Sequence, residues 1–198
     1  MLKVALTGGI ATGKSHVLGE LRRRGVPCLD ADTLAHGVTA AGTEATRAIA
    51  ARFGPDTLAP DGSIDRVRLG PMVFADPSAR RDLEALVHPA VYRAIAAGLR
   101  AFELLGDSPL AVVAIPLLYE SGRQDEFDRV MATACSPERQ MARLRTRGMS
   151  EREARQRIDA QWPVEEKARR ADFVIRTDGG PEDTERQIDR ILDRLQGG

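Results

Sequence analysis

The sequence predicts an α/β protein with a five-stranded parallel sheet and helices on both faces. Short apolar segments alternate with longer segments of helical periodicity, the pattern of successive strand–helix–strand units. The apolar segments are hydrophobic at nearly every position, as expected for strands that are buried on both faces. The first of them leads into a glycine-rich turn followed by a helical pattern, so a loop and a helix are expected at that strand's carboxyl end.

The predicted strands follow one another along the chain, and they cover residues 2–7, 26–32, 110–118, 129–135 and 172–177. The first helix begins near Lys14 and is ended by Gly25. The last helix, with Pro181 in its first turn, carries an apolar stripe that includes Ile188 and Leu192. The interval 33–109 is too long for a simple crossover and predicts a helical insertion.

The charge of the chain is balanced, with 29 basic and 29 acidic residues. A net charge of zero gives no broad attraction for nucleic acid or for a membrane surface, so small-molecule partners are expected. Almost all basic residues are arginines, and the only lysines are Lys3, Lys14 and Lys167. Lys14, in the glycine-rich turn, is therefore an exception to the preference of this chain for arginine.

The two cysteines, Cys28 and Cys135, lie in or beside apolar segments and predict free, buried thiols. The first apolar segment is too short for the core of a signal peptide, and no segment approaches the ~20 apolar residues of a membrane span. We therefore expect a cytoplasmic protein.

The glycine-rich turn matches the Walker A pattern, Gly8-x-x-x-x-Gly13-Lys14-Ser15, in the strand-to-helix context that this pattern requires. Glycines let backbone N–H groups surround a phosphate, and the helix beginning at Lys14 adds its positive dipole end. The motif predicts a P-loop NTPase fold that binds ATP and Mg²⁺, with the hydroxyl of Ser15 on the metal. The predicted nucleotide-binding residues of the loop are Gly9, Ile10, Ala11, Thr12, Gly13, Lys14, Ser15 and His16.

A phosphate-binding loop alone is compatible with a kinase, a hydrolysing motor or a nucleotide-controlled switch. The chain contains no asparagine, which excludes a guanine-binding N-K-x-D motif, and its third strand has no terminal aspartate. Carboxylates follow the second strand instead, where Asp30 and Asp32 are expected to share one side of the strand. A carboxylate there could accept the proton of an attacking hydroxyl or hold Mg²⁺ through water. Alternatively, Asp32 caps the next helix.

Five segments in this order, "VALTGGIATGKS", "LDAD", "LVHP", "IPLLYE" and "ADFVI", resemble the dephospho-coenzyme A kinase family. The resemblance runs from Leu2 to about Ile191, nearly the whole chain. It implies that ATP phosphorylates the 3′-hydroxyl of the ribose of dephospho-coenzyme A, the last step of coenzyme A synthesis.

The resemblance also implies roles for individual residues on the acceptor side. Asp32 corresponds to the general base and Asp30 to its supporting carboxylate, and both would contact the acceptor. His88 falls in the insertion that receives the acceptor, although a helix-end histidine braced by Pro89 is an equal alternative. Glu120 could bind substrate or hold an arginine, or it could be a surface glutamate.

On the nucleotide side, the arginine-rich segment resembles a lid, in which Arg139, Arg143 and Arg147 share one helix face. Arg143 is predicted to stabilise the transferred phosphoryl group and Arg147 to bind the nucleotide; a solvated basic helix is the alternative. Thr177 stands where the family has an asparagine, and together with Gly179 it is expected beside the adenine.

These predictions divide the chain into three regions. Residues 1–32, 110–136 and 158–198 form the nucleotide-binding core, 33–109 the helical acceptor region, and 137–157 the lid. Two competing functions remain open from the sequence. One is another small-molecule or nucleoside kinase of the same architecture, and the other is a nucleotide-controlled binding protein with no acceptor of its own.

Overall fold

The structure is a computed structural model, and it describes residues 1–197. These residues contain a five-stranded sheet of order β2-β3-β1-β4-β5, in which β1 pairs in parallel with β3 and β4, and β4 with β5. The predicted fold class is confirmed. The strands are β1 (Leu2–Gly8), β2 (Cys28–Asp30), β3 (Leu110–Ala114), β4 (Arg129–Ala134) and β5 (Phe173–Arg176).

The helices follow in the order that the sequence periodicity predicts, including several within the long interval between β2 and β3. They are α1 (Lys14–Arg23), α2 (Ala31–Val38), α3 (Glu44–Phe53), α4 (Arg66–Ala75), α5 (Pro77–Leu105), α6 (Pro137–Thr146), α7 (Glu151–Asp159), α8 (Val164–Arg170) and α9 (Pro181–Gln196).

The chain divides into two compact units. The first comprises Met1–Leu29 and the chain from Ala101 onward, and the second comprises Asp30–Arg100. The first unit contains the sheet core, where side chains of β1, β3 and β4 pack against α1 and α9. Leu6 of β1, Leu18 of α1 and Ile188 of α9 are all buried in this cluster, as their helical and strand spacing predicts.

The second unit has its own hydrophobic cluster, which confirms the predicted helical insertion. Ile49 of α3, Leu69 of α4 and Ile64, which precedes α4, are buried there. Partly buried side chains of α5 pack against them. Ile64 belongs to a short antiparallel bridge with Leu58 rather than to a helix.

The second strand is shorter than predicted, and this corrects the expected arrangement of the two aspartates. β2 ends at Asp30, whose carboxylate accepts the N–H of Asp32 at 2.9 Å and so caps α2. Asp32 therefore lies in the first turn of a helix, and the expectation that both residues share one side of a strand was wrong. The reason is that an aspartate bonding forward to the backbone favours helix initiation over strand continuation.

The third strand also ends early, at Ala114 instead of residue 118. The N–H of Ile115 donates to Leu6 O at 2.9 Å, and Pro116, which has no N–H, follows directly. Both cysteines are free, as predicted, and Cys135 is buried while Cys28 is half-buried. Burial raises the pKa of the Cys28 thiol to about 11. Nowhere in residues 1–197 is there a helix with the length and apolarity that crossing a membrane requires.

Glu20 of α1 gives the fold an acid-sensitive contact. Its side chain, 8% exposed, accepts hydrogen bonds from Arg23 and, at 2.8 Å, from Arg24, which also bonds Asp189 at 2.6 Å. These bonds, with that of Arg23 the strongest, lower the pKa of Glu20 from 4.5 to about 2. Because the folded-state pKa is the lower one, this stabilisation is present above pH 4.5 and is lost as the pH falls toward 2.

We therefore expect the free energy of unfolding of the wild type to fall more steeply over this acidic range than that of Glu20→Gln, which cannot titrate there. Urea unfolding at a series of pH values measures the difference. Parallel pH profiles for the two proteins would show that Glu20 does not contribute to the acid sensitivity.

Candidate active site

The loop between β1 and α1 has a backbone that its glycines make possible. Gly13, directly before α1, has a φ of 96°, in the left-handed region that glycine adopts readily. Gly8 has no room for a side chain, since a Cβ there would lie 2.7 Å from Thr12 Oγ1 and 2.9 Å from Thr133 O. Ala11 adopts a φ of 60°, a conformation that costs a non-glycine residue roughly 1 kcal/mol.

Four successive carbonyl groups of this loop are bonded to other protein groups. Gly9 O accepts from Thr12 Oγ1 at 2.8 Å, Ile10 O from Gln140 Nε2 at 2.6 Å, Ala11 O from Arg143 Nη1 at 3.0 Å, and Thr12 O from Thr177 Oγ1 at 2.7 Å. In a planar trans peptide the N–H of the next residue points opposite to the carbonyl. Fixing these carbonyls therefore directs the N–H groups of Ala11 and Gly13 to the other side of the loop, as an anion cradle requires.

Ile10 is held on both of its polar backbone groups. Its N–H donates to Gln161 Oε1 at 2.8 Å, while its carbonyl accepts from Gln140. The predicted contact of Ile10 with the nucleotide stays untested, and these bonds show that its peptide groups maintain the loop. Sequence reasoning did not identify Gln140, because a glutamine within an arginine-rich helix gives no local signal of a long-range bond.

The arginine face of α6 lies along the segment that follows β5. Arg143 donates to Thr177 Oγ1 at 2.9 Å and to Thr177 O at 2.6 Å, and Arg139 donates to Asp178 O at 2.7 Å. Leu144, on the same helix, is fully buried against Ala11. In this structure α6 is thus packed against the loop. The predicted contact of Arg143 with the transferred phosphoryl group, and that of Arg147 at the end of α6 with the nucleotide, stay predictions.

Thr177 connects the loop to β4 and to α6 through hydrogen bonds. Its N–H donates to Ala134 O at 2.8 Å, its hydroxyl donates to Thr12 O, and its carbonyl accepts from Arg143. Gly179 lies in the turn before α9, where a Cβ would come within 3.0 Å of Asp183 Oδ2. The expected adenine contacts of these two residues stay untested, but the structure gives Thr177 a supporting role that the sequence did not reveal.

Lys14, Ser15 and His16 form the first turn of α1, directly after the cradle. No acidic residue lies in that turn, so its N–H groups and the positive end of the helix dipole are available to an anion. The donor nitrogen of His16 lies within 4.8 Å of carboxylate oxygens of Glu20 and Glu185. Since Arg23 contacts both of these carboxylates, this group is an ion-pair cluster and not a metal site.

Glu120 forms a buried ion pair with Lys167, so two of the alternatives that the sequence left open, an arginine partner and a surface glutamate, were wrong. Lys167 is fully buried, and its Nζ lies 2.7 Å from Glu120 Oε1 and donates to Pro116 O at 2.8 Å. Glu120 Oε1 also accepts the N–H of Trp162 at 2.9 Å. Burial lowers the pKa of Lys167, opposed by the bond to Glu120. Glu120 therefore anchors α8 and the segment before it to the end of β3, and its predicted substrate contact is untested.

Breaking this pair is expected to destabilise the fold strongly. In Lys167→Met the Glu120 carboxylate would stay buried without its counter-ion, which typically costs about 3–5 kcal/mol. Urea unfolding measures this loss, with Lys3→Met as the matched control on a half-buried lysine. A Lys167→Met protein that unfolds like the wild type would mean that the pair adds no stability.

Three of the four predicted acceptor residues, Asp30, Asp32 and His88, lie in the second unit. Asp32 is exposed in the first turn of α2, and the Asp30 carboxylate is used as the helix cap. His88 lies inside α5, which continues through Pro89, so the alternative of a helix-end histidine was wrong. Its ring meets Tyr92 edge-on at 6.4 Å, and it lines a cavity of about 320 Å³.

Comparisons with known proteins agree on one family. The family model CoaE: Dephospho-CoA kinase matches residues 2–183. The dephospho-CoA kinase of Anaeromyxobacter dehalogenans is 47% identical over 199 residues, covering 100% of this chain and 94% of the relative. The solved dephospho-CoA kinase from Campylobacter jejuni has a TM-score of 0.74 and 26% identity, covering 98% of each chain. A crystal structure of a Thermus thermophilus protein has a TM-score of 0.83 and 35% identity, covering 98% of this chain and 97% of that one.

Proposed function

Because this chain belongs to the dephospho-CoA kinase family, we propose how its own residues carry out the family's reaction. The protein is a phosphotransferase that uses ATP to phosphorylate the ribose 3′-hydroxyl of dephospho-coenzyme A, giving coenzyme A and ADP. This is the final step of coenzyme A biosynthesis. The observation that best supports the assignment of roles is the loop in which four consecutive carbonyls, Gly9 to Thr12, are bonded to the protein.

The loop and the start of α1 bind the phosphates of ATP. Inward N–H groups of Ala11 and Gly13 donate to the phosphate oxygens, and the first turn of α1 adds its dipole. The ammonium of Lys14 neutralises charge on the β- and γ-phosphates as the bond between them breaks. Because the loop is already shaped, little reorganisation is needed when charge develops.

The residues present also fit Mg²⁺. Ser15 offers a hydroxyl oxygen, the hard donor that Mg²⁺ prefers, in the first turn of α1 beside Lys14. Ser15 would hold the ion, which when bound would supply neutralising charge to the phosphates.

Asp32 activates the acceptor. Its carboxylate takes the proton of the ribose 3′-hydroxyl while the oxygen forms a bond to the γ-phosphorus, and the bond from that phosphorus to the β-phosphate oxygen breaks to release ADP. Asp30 supports this role by capping α2, since its bond to the N–H of Asp32 fixes the first turn on which Asp32 stands. The helical region 33–109, including His88, receives the rest of the acceptor.

The arginine face of α6 completes the nucleotide side. Arg143 stabilises negative charge on the transferred group, Arg147 binds the nucleotide, and the segment that contains Thr177 and Gly179 lies beside the base. Residues 137–157 act as the lid. By keeping water out of the site, the lid favours phosphoryl transfer to the sugar hydroxyl over hydrolysis of ATP. We place this reaction in the cytoplasm, with small molecules and neither nucleic acid nor a membrane as partners.

The test is to incubate the protein with Mg·ATP and dephospho-coenzyme A and to measure coenzyme A by mass together with ADP. Equimolar appearance of both products is the expected result. A panel of nucleosides and metabolite alcohols as acceptors separates this function from that of another small-molecule kinase. Slow ATP hydrolysis that no acceptor stimulates would contradict the proposal and favour a nucleotide-controlled switch.

A further inference from the structure

The second unit encloses a cavity of about 320 Å³ between α2, α3, α4 and α5. This volume is at the lower end of the ~300–1,000 Å³ that small-molecule sites occupy. One face of α4 forms a wall, because Arg66, Leu69, Gly70 and Val73 recur at helical spacing and all line the cavity.

The interior of the cavity is largely apolar, and its polar lining residues are Thr39, Arg66, Glu84 and His88. The carboxylate of Glu84 is paired with Arg80 at 3.0 Å, which leaves Arg66 as the cation available to an anionic group. Ile49, Ile64 and Leu69, which also form the hydrophobic cluster of this unit, supply much of the lining. Arg66 is an exposed cation beside α2, and its Nη2 donates to Thr39 Oγ1 at 3.0 Å and to Ala35 O at 3.3 Å. A ligand with a long apolar portion and an adjoining anionic group matches this distribution.

The cavity adjoins the helix that carries the proposed base. Ala35 of α2 and Thr39, which caps the end of α2, line it. Ala35 follows Asp32 by three residues, which is about 5 Å along a helix. Asp32 and the cavity wall are therefore consecutive turns of one short helix within the same unit.

We propose that this cavity receives the pantetheine arm of dephospho-coenzyme A, an inference that rests on the proposed function. The arm is a slender chain of methyls, methylenes and two amides that ends in a thiol, so its aliphatic parts match the apolar walls and its amides can pair with the few polar side chains of the lining. The diphosphate that joins the arm to the ribose lies beside Arg66, which can donate to its oxygens. The acceptor thus extends along α2, with its ribose at Asp32 and its arm among α3, α4 and α5.

Gly70 provides a way to fill the cavity without disturbing its walls. A Cβ built on Gly70 meets no atom within 4 Å, and Gly70 lies in a helix, so a leucine there projects into open space and favours the helix. Gly19 of α1 is the matched control, because it is also a half-buried helical glycine at which a Cβ meets no atom within 4 Å, yet it lies outside the acceptor region and does not line the cavity.

We would measure the KM for dephospho-coenzyme A and for ATP, together with competitive inhibition by 4′-phosphopantetheine, which carries the arm without the nucleoside. Gly70→Leu is expected to raise the KM for dephospho-coenzyme A about tenfold or more and to weaken 4′-phosphopantetheine inhibition in parallel, with the KM for ATP unchanged. Gly19→Leu is expected to behave as the wild type, and thermal unfolding confirms that both variants are folded.

Two outcomes would overturn the proposal. One is a Gly70→Leu enzyme with an unchanged KM for dephospho-coenzyme A, and the other is a raised KM with undiminished inhibition by 4′-phosphopantetheine, which would place the nucleoside end in the cavity. Failure of the proposed function is recognised separately, since a wild-type protein that makes no coenzyme A refutes it before any variant is compared.

Discussion

Replacing Asp32 with asparagine is expected to lower kcat by about 10²–10³-fold while leaving the KM for ATP nearly unchanged. The asparagine amide matches the carboxylate in shape but cannot accept a proton from the acceptor hydroxyl. The side chain of Asp32 is exposed, and only its N–H bonds the Asp30 cap, so α2 should form normally in the variant. Steady-state kinetics with dephospho-coenzyme A measures the effect.

Asp76→Asn is the control for this substitution, because Asp76 is an exposed aspartate of the same unit whose carboxylate accepts the N–H of Ser78 at 2.7 Å. That variant should keep wild-type kinetics. If Asp32→Asn turned over at the wild-type rate, Asp32 would have no part in the proton transfer, and another group would have to be sought.

Lys14→Met should reduce kcat by on the order of 10²-fold and also weaken ATP binding. Methionine keeps most of the side-chain volume but removes the only side-chain cation in the Walker A motif, and charge that develops on the phosphates would lose a stabilising partner. Titration with ATP and with AMP separates the effects, since AMP lacks the β- and γ-phosphates that we assign to Lys14.

Lys3→Met serves as the comparison, because Lys3 lies near the start of β1 and Lys14 follows its end. It should leave both kinetic constants intact. An unchanged rate in Lys14→Met would be incompatible with the assigned phosphate cradle.

The sequence predicted the parallel sheet and the phosphate loop well, because both follow from local patterns. Short, β-branched apolar segments such as β3, where every residue from Leu110 to Ala114 is buried, are typical of interior strands. The border between β2 and α2 was missed because Asp30 is at once the last strand residue and the cap of the helix. At Asp30 the alternation expected of a strand overlaps with a helix-capping signal. The hydrogen bond from the N–H of Asp32 to the Asp30 carboxylate favours the helix.

The supports of the loop could not be predicted from local patterns. Gln140, Arg143 and Thr177 reach Ile10, Ala11 and Thr12 across more than a hundred residues of chain, and only the tertiary fold brings them together. Lys167 was equally unexpected, because lysine is almost never fully buried unless it is paired. The composition did contain a hint, since lysine is rare in this chain and one of its three lysines opens α1 while another is wholly interior.

The anchored carbonyls of Gly9 to Thr12 have a consequence for the catalytic cycle. Four residues that would otherwise sample many backbone states lose that freedom once, when the chain folds, and not at every encounter with substrate. Nucleotide binding then requires little further ordering of this loop, so more of the binding energy of the triphosphate is available for positioning the reactants.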